Sequence, residues 1–327
     1  MLAALTTVRF SCLAVLLFGL GGCLDPTEPG VLVHATVDED DSLPALELSE
    51  TRLHLQTFGD PRNPPLVLLH GGPGNDHRYL LRLVQPRWGP GLEDEYFVIV
   101  FDQRGAGLSR RHEPEALTLD AYLRDLEEVI DTLAPERQVI LFGHSWGGQY
   151  AAMYMNAHPE RVTAAVLAEP GRLRWDLEEG GADFDFDPFA EHIGDLLWAR
   201  QLVSMQEHAR ADYVASLLLL EDTNARVEDP SPNWRVGAAV LLSLYLDEIE
   251  VAHFDWTPRL AEVEGPVLFV VGDQPSDLGA SFQTQQLDFF VDARMVEIAG
   301  AGHSDIVWKR AEDTLAVTLG VLAEVRR

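Results

Sequence analysis

A serine between glycines is the strongest sign of chemistry in this sequence. The segment Gly143 to Gly147 reads G-H-S-W-G, follows an apolar run that ends at Phe142 and opens a helical pattern. A sharp strand-to-helix turn of this kind holds a serine in a strained, exposed position, and glycines avoid clashes there. The start of the following helix also stabilises a developing negative charge. We therefore interpret Ser145 as a candidate nucleophile.

A serine hydroxyl needs a base, and a histidine late in the chain can supply one. His303 ends the segment Gly300 to His303, which follows a predicted strand over Arg294 to Ile298 and precedes a predicted C-terminal helix. A histidine after the last strand suits the chain order serine, acid, histidine. The other histidines lack this context, and we interpret His144 as a packing residue. We expect His303 to be the general base.

A second glycine-rich turn follows another apolar run. His70 to Gly74 reads H-G-G-P-G and comes directly after Leu66 to Leu69. Backbone amides on such a turn can approach a bound carbonyl closely, so we predict an oxyanion hole formed by the N–H groups of Gly72 and Trp146. Phosphate binding is not favoured here, because neither G-x-G-x-x-G nor G-K-[ST] is present.

Four motifs follow one another along the chain: His70 to Gly74, Asp102 to Gly105, Gly143 to Gly148 and Gly302 to His303. Together they resemble the prolyl aminopeptidase (proline iminopeptidase) branch of the α/β-hydrolase superfamily, over residues 50–170 and 264–325. The resemblance implies an α/β-hydrolase fold and a serine hydrolase that cleaves small amides or N-terminal peptide residues. It also implies that Arg104 braces the loop after its strand. Related esterases share these motifs, so a carboxylesterase or lactonase with the same triad stays open.

The acid of the triad departs from the pattern that the resemblance implies. The family usually carries an aspartate three residues beyond the glycine matching Gly272, and that position is Pro275 here. Glu169 ends the preceding strand, as in some haloalkane dehalogenases, and an acid there can still orient the imidazole of His303. We predict Glu169 as the triad acid and keep Asp277 as the alternative. The alternative for Glu169 is a structural role, in which its carboxylate caps the turn that follows the strand.

Short apolar segments alternate with helical patterns through most of the chain. Segments typical of strands buried on both faces of a parallel sheet are Leu66–Leu69, Phe97–Phe101, Val139–Phe142, Ala164–Leu167 and Val267–Val271. The helical patterns are Leu119–Leu133, Gly147–Ala157 and Phe282–Phe290. This alternation predicts an α/β fold, with a mostly parallel central sheet and helices on both faces.

The alternation breaks over residues 171–262, which read as mostly helical. We predict a helical cap there, inserted into a hydrolase core formed by residues 45–170 and 263–327. Acids and aromatics of this cap could hold a substrate ammonium group, although a solvated face is the simpler explanation in a chain this acidic. They are Glu178, Glu179, Asp183, Asp185, Asp187, Glu191, Trp175, Trp198, Trp234 and Trp256.

Residues 1–22 have the composition of an export signal. They carry one basic residue, no acid, and an apolar run from Phe10 to Leu20 that is too short to span a bilayer. The run leads into L-G-G-C, which resembles the bacterial lipoprotein box and implies lipidation of Cys23; an ordinary signal peptide is the alternative. We expect attachment to a membrane through this lipid, in the bacterial cell envelope. Leu24 slightly favours the outer membrane.

Residues 23–44 are rich in proline and acids, and we predict a tether there with one short strand over Val31 to Val37. The whole chain of 327 residues has a formal net charge of −29 and a hydrophobic fraction of 46%. That composition excludes a disordered chain, and the negative charge repels phosphate backbones, so we expect no nucleic-acid partner. No cofactor fingerprint or metal-ligand cluster stands out in the sequence, and we expect no cofactor.

Three functions remain open at this point. The first is a serine hydrolase that acts on small amides or short peptides, and the second is an esterase or lactonase with the same residues. The third is a non-catalytic surface binding protein on this fold, against which Ser145 and His303 argue. Epoxide hydrolase and dehalogenase chemistry are not favoured, because the turn carries serine where those reactions need aspartate.

Overall fold

An eight-stranded sheet forms the centre of the computed structural model, which describes residues 33–177, 208–216, 232–244 and 253–325. The strands are β1 (Ala45–Glu47), β2 (Arg52–Phe58), β3 (Pro65–Leu69), β4 (Phe97–Phe101), β5 (Val139–His144), β6 (Val162–Ala168), β7 (Val267–Gly272) and β8 (Ala293–Ile298). Their order across the sheet is β1-β2-β4-β3-β5-β6-β7-β8. Strands β3 to β8 are parallel to one another, and the β1–β2 and β2–β4 pairs are antiparallel. The predicted mostly parallel sheet is therefore confirmed.

Helices follow most of the parallel strands. They are α1 (Leu81–Val84), α2 (Leu119–Leu133), α3 (Trp146–Ala157), α4 (208–216), α5 (Ala238–Val240), α6 (Ala280–Leu287) and α7 (Ala311–Leu322). Short 3₁₀ turns lie at Arg78–Leu80, Leu92–Asp94, Pro114–Ala116, Pro159–Arg161 and Leu260–Glu262. In the part of the chain that the structure describes, none of the helices has the length and apolar character needed to cross a membrane.

Alternation of side chains along the buried strands creates two apolar layers. In β3, Val67 and Leu69 belong to the layer that packs against α2 and α3, whereas Leu66 and Leu68 belong to the layer on the other face, with α1 and α7. All five residues of β3 and of β4 are buried, as expected for central strands covered by helices on both faces. This packing holds the carboxyl ends of β3, β5 and β6 at one edge of the sheet, where Ser145 lies.

The segment before the sheet differs from its prediction. Residues 33–37 form no strand, and the first strands are instead β1 and β2, whose mixed polarity hid them in the sequence. The described end of the predicted tether is also docked on the domain. Val37 is fully buried and its N–H donates to the carbonyl of Leu108 over 2.8 Å, so an apolar side chain fixes this segment where composition alone indicated a free linker.

A buried ion cluster joins the predicted cap to the core. Asp212 of α4 accepts hydrogen bonds from Arg111, which follows β4, over 2.8 Å and from Arg235, which precedes α5, over 2.7 Å. Its other oxygen accepts from the N–H of Ala238 over 2.9 Å. Arg235 also donates to the carbonyl of His34 over 2.8 Å. Three segments distant in sequence therefore meet at the carboxylate of Asp212, and Arg235 links a fourth, at His34, to them. We call this cluster of Asp212, Arg111 and Arg235 the cap base.

Most of the predicted ammonium-binding residues lie outside the described residues. Those that fall there are Glu178, Glu179, Asp183, Asp185, Asp187, Glu191 and Trp198. Of the other three, Trp175 is 46% exposed and stacks on His253, with ring centroids 4.3 Å apart. Trp256 is buried, with its ring edge-on to that of Trp146. Trp234 packs edge-on against His54 and His77.

Candidate active site

Ser145 occupies the sharp turn between β5 and α3. Its φ of 55° and ψ of −123° lie outside the regions that ordinary residues favour, a strain that costs about 1–3 kcal/mol. The N–H of Ser145 donates to the carbonyl of Ala168 over 3.0 Å, which ties the turn to the end of β6. A Cβ atom on Gly143 would lie 2.2 Å from the carbonyl oxygen of Gly147, so a side chain there is excluded. The structure thus shows the elbow geometry that the sequence predicts.

Glu169 and His303 meet at the ends of β6 and β8. The Nδ1 atom of His303 lies 2.7 Å from Oε2 of Glu169, whose side chain is fully buried, while 32% of the His303 side chain is exposed. The other carboxylate oxygen accepts the N–H of Gly272 over 2.7 Å. Because an ionised carboxylate only accepts, the proton of the neutral imidazole lies on Nδ1. Nε2 is then free to take a proton from a hydroxyl.

The alternative acid is placed differently. Within the described chain, Asp277 makes no hydrogen bond to His303. Asp273 accepts the N–H of Gly300 over 2.8 Å and so holds the start of the loop that carries His303. Since β6 and β7 are neighbours in the sheet, their carboxyl ends share one edge, and an acid at either end can approach the histidine. The geometry favours Glu169.

The predicted oxyanion turn is held by side chains that the sequence did not single out. The Nε2 atom of His70 accepts the N–H of Gln103 over 3.0 Å, and its Nδ1–H therefore donates to the carbonyl of Gly71 over 2.9 Å. Burial lowers the pKa of His70 to about 4, so this ring is neutral. The Gln103 side chain donates to the carbonyl of His70 and accepts the indole N–H of Trp146 over 2.8 Å. With its φ of 121°, Gly72 occupies a region that favours glycine.

Arg104 has the structural role that the resemblance implies. Its guanidinium donates two hydrogen bonds, of 2.8 Å and 2.7 Å, to the carboxylate of Asp125 in α2, and both side chains are buried. The hydroxyl of Tyr122 donates to the carbonyl of Arg104 over 2.6 Å. These bonds fix the chain after β4 against α2, which in turn fixes the neighbouring Gln103.

Among the described residues, one group has potential metal ligands close together. Ligand atoms of His54, His77 and Asp102 lie within 4.8 Å of one another, and all three residues are buried. The Asp102 carboxylate already accepts four hydrogen bonds, from both Nδ1 atoms and from the N–H groups of His77 and Leu108. With its lone pairs used in this way, we interpret the group as a polar network that holds loops. Sequence spacing gave no sign of it, because its members are far apart along the chain.

Comparison with known proteins identifies the family of this chain. Residues 64–310 match the family described as the alpha/beta hydrolase fold. The chain therefore belongs to the α/β-hydrolase family. Over 207 residues it is 30% identical to a proline iminopeptidase of Xylella fastidiosa (strain 9a5c), a match that covers 62% of this chain and 62% of that relative.

Two solved structures show the same fold. The proline iminopeptidase of Mycobacterium smegmatis is 19% identical, with a TM-score of 0.56 over 86% of this chain and 97% of its own. The enol-lactonase of Burkholderia xenovorans LB400 is also 19% identical, with a TM-score of 0.60 over 86% of this chain and 100% of its own. At these identities the likeness shows the fold alone.

Proposed function

We propose that the protein is a serine hydrolase of the prolyl aminopeptidase type, acting on small amides or on the N-terminal residue of short peptides. The observation that carries this proposal is the hydrogen bond of 2.7 Å between His303 and the buried Glu169. A buried carboxylate on Nδ1 fixes the tautomer and the orientation that a general base for serine requires. The strained turn at Ser145 and the likeness to the Xylella fastidiosa proline iminopeptidase support the same proposal.

In the proposed mechanism, Oγ of Ser145 attacks the substrate carbonyl while Nε2 of His303 takes the hydroxyl proton. The N–H groups of Gly72 and Trp146 donate to the oxyanion that forms; Trp146 begins α3, where backbone N–H groups have no partner within the helix. Glu169 stabilises the imidazolium, which then gives its proton to the leaving amine. Water, deprotonated by the same histidine, hydrolyses the acyl-enzyme.

An esterase or lactonase activity of the same site is the second candidate. The fold of this chain is as similar to that of the Burkholderia xenovorans enol-lactonase as to that of the Mycobacterium smegmatis proline iminopeptidase, so the fold accommodates either activity. Apolar side chains also lie next to the residue that follows the nucleophile: the buried rings of Phe254 and Trp256 stack with centroids 4.1 Å apart, and Trp256 packs edge-on against Trp146.

The aminopeptidase needs a substrate with a free amine, whereas the esterase or lactonase does not. The experiment therefore compares substrates with and without this group. Initial rates are compared on proline 4-nitroanilide, alanine 4-nitroanilide and 4-nitrophenyl butyrate, with Ser145→Ala as the blank. The aminopeptidase proposal expects serine-dependent anilide cleavage with proline well ahead, and loss of that cleavage when the proline nitrogen is acetylated. Ester turnover alone establishes the second candidate, and Ser145-independent rates on all substrates contradict both.

We also propose that the protein is a lipoprotein of the bacterial cell envelope, attached to a membrane by lipid on Cys23. The support comes from the sequence of residues 1–23, which lie outside the described residues. Cell fractionation of the Cys23→Ser variant tests this proposal. Release of the variant into the soluble fraction is expected, and continued membrane association would contradict lipid attachment.

A further inference from the structure

A chain of hydrogen bonds joins the predicted oxyanion turn to the main chain of His303. The N–H of Gly71 donates to the hydroxyl of Tyr79 over 2.8 Å. That hydroxyl lies 2.9 Å from Nδ1 of His144, and Nε2 of His144 lies 3.0 Å from the carbonyl oxygen of His303. His144 directly precedes Ser145 in sequence. The side chain that we interpreted as packing therefore contacts two separate parts of the proposed site.

Chemistry fixes the direction of every bond in this chain. The carbonyl of His303 only accepts, so Nε2 of His144 carries the proton. In a neutral ring Nδ1 then accepts, and the only hydrogen available to it is that of the Tyr79 hydroxyl. The Tyr79 oxygen in turn accepts from Gly71. Each donor has one acceptor, and no alternative arrangement satisfies all four groups.

The surroundings of His144 keep its ring neutral. Burial, followed by the charge of the adjacent His303, lowers the pKa of His144 to about 3. The rings that face it are Tyr79, edge-on with centroids 5.5 Å apart, and His303, tilted by 31° with centroids 4.9 Å apart. His303 can therefore be protonated during turnover while His144 keeps its tautomer and its bonds.

We propose that Tyr79 and His144 are positioning residues that hold the oxyanion turn and His303 in a fixed geometry around Ser145. This inference rests on the proposed hydrolase function. It follows from the position of His144, which directly precedes Ser145. The backbone that presents the nucleophile therefore also carries the side chain that fixes the oxyanion turn and His303. Since a displacement of about 1 Å in an active site can lower a rate about 100-fold, a link of this kind matters for turnover.

Removal of one hydroxyl provides the first test. In Tyr79→Phe the N–H of Gly71 and Nδ1 of His144 both lose their partner, and we expect kcat on the best substrate to fall about 10-fold or more, with KM within about twofold. Tyr154→Phe is the matched control, because the Tyr154 hydroxyl is buried and has no hydrogen-bond partner within the described residues. An unchanged kcat in Tyr79→Phe, or an equal loss in Tyr154→Phe, would overturn the proposal.

A double-mutant cycle tests whether the two residues act together. His144→Phe keeps a ring but removes both bonds, and His144→Gln keeps a donor and an acceptor. If the chain works as a unit, Tyr79→Phe combined with His144→Phe lowers kcat no further than the more damaging single change. We expect His144→Gln to retain more activity than His144→Phe. Additive losses, or equal activity of the two His144 variants, contradict a linked pair.

Two further measurements separate failure of this inference from failure of the proposed function. Labelling of Ser145 by a fluorophosphonate probe reports the reactivity of the serine without a substrate. An unlabelled wild type contradicts the proposed function. Equal labelling of the wild type and of Tyr79→Phe contradicts the inference alone. Nitrogen-15 NMR of the histidines, with His144 assigned from the His144→Gln spectrum, tests the tautomer directly. A neutral ring protonated on Nε2 is expected, and protonation of Nδ1 at neutral pH would refute the bond directions.

Discussion

Within the residues that the structure describes, a buried carboxylate contacts histidine at two places, and the bond lengths there are nearly the same. Glu169 lies 2.7 Å from Nδ1 of His303, and Asp102 lies 2.8 Å and 2.7 Å from the Nδ1 atoms of His54 and His77. The environments differ. His303 is partly exposed at the edge of the sheet where Ser145 lies, whereas His54 and His77 are buried, stacked on each other and covered by Trp234.

The contrast shows that the histidine–carboxylate pair does not by itself define a reactive site. The two sites differ in what surrounds the second ring nitrogen of the histidine, Nε2. In His303 it is available to a hydroxyl, while in His77 it lies 3.3 Å from the side-chain oxygen of Gln56. The same pair can therefore serve proton transfer at one place and the attachment of loops at another. Each of the following predictions changes a residue at one of these two histidine–carboxylate sites.

The largest effect is expected from Glu169→Gln. Loss of the carboxylate removes the acceptor that fixes the tautomer of His303, and kcat/KM should fall by about 10³ to 10⁴. Asp277→Asn is the control and should stay within about twofold of the wild type. A large loss in Asp277→Asn with little change in Glu169→Gln would show that Asp277 orients the histidine during turnover.

Asp102→Asn should act on stability. Replacing a fully buried carboxylate that bonds two histidines should lower the free energy of unfolding by about 3–5 kcal/mol, as measured by urea denaturation at pH 7. Glu169→Gln should lower it by only about 1 kcal/mol, because the glutamine oxygen can still accept from Gly272. Equal losses in the two variants would remove the distinction between the clusters.

The pH dependence of stability should distinguish Asp102→Asn from the wild type. Burial opposes ionisation of Asp102, but the charges and hydrogen bonds of His77 and His54 outweigh it and hold the pKa of Asp102 well below its ordinary value. A lowered pKa in the folded state means that the ionised group stabilises the protein above about pH 4, and that this stabilisation is lost as the pH falls further. The difference in unfolding free energy between wild type and Asp102→Asn should therefore shrink below about pH 4. A difference that grows there would contradict the sign.

The smallest effect is expected from Ser276→Ala. The Ser276 hydroxyl lies 3.5 Å from Oε2 of Glu169, at the outer limit of a hydrogen bond, so it adds little to the two closer bonds of that carboxylate. We expect kcat/KM to fall by at most about threefold. A loss above tenfold would show that the orientation of Glu169 depends on this hydroxyl.

The parts of this protein that follow local rules were predictable from the sequence. The turn at Ser145 and the buried strands β3 to β7 each depend on contiguous residues, and the structure has them within a few residues of the predicted bounds. Strands β1 and β2 were missed because their residues are partly exposed and mixed in polarity. Partly exposed strands of this kind are defined by their partners more than by their own sequence.

Contacts between distant residues were harder to predict. Glu169 and His303 are separated by 134 positions, so the sequence could favour Glu169 but had to keep Asp277 as an alternative. The interpretation of His144 as packing was incomplete, because its partners Tyr79 and His303 lie 65 and 159 positions away. A histidine next to a nucleophilic serine was the available signal, and only the fold supplies its partners.

The cap base has a consequence for the route by which substrates reach Ser145. Separating Asp212 from Arg111 and Arg235 would leave the buried carboxylate of Asp212 without its ionic partners, at a cost of about 3–5 kcal/mol. At equilibrium, about one molecule in 10² to 10⁴ would have this base open. The described residues of the predicted cap therefore stay attached to the core at Asp212 in nearly all molecules. We expect substrates to reach Ser145 by a route that leaves the cap base closed.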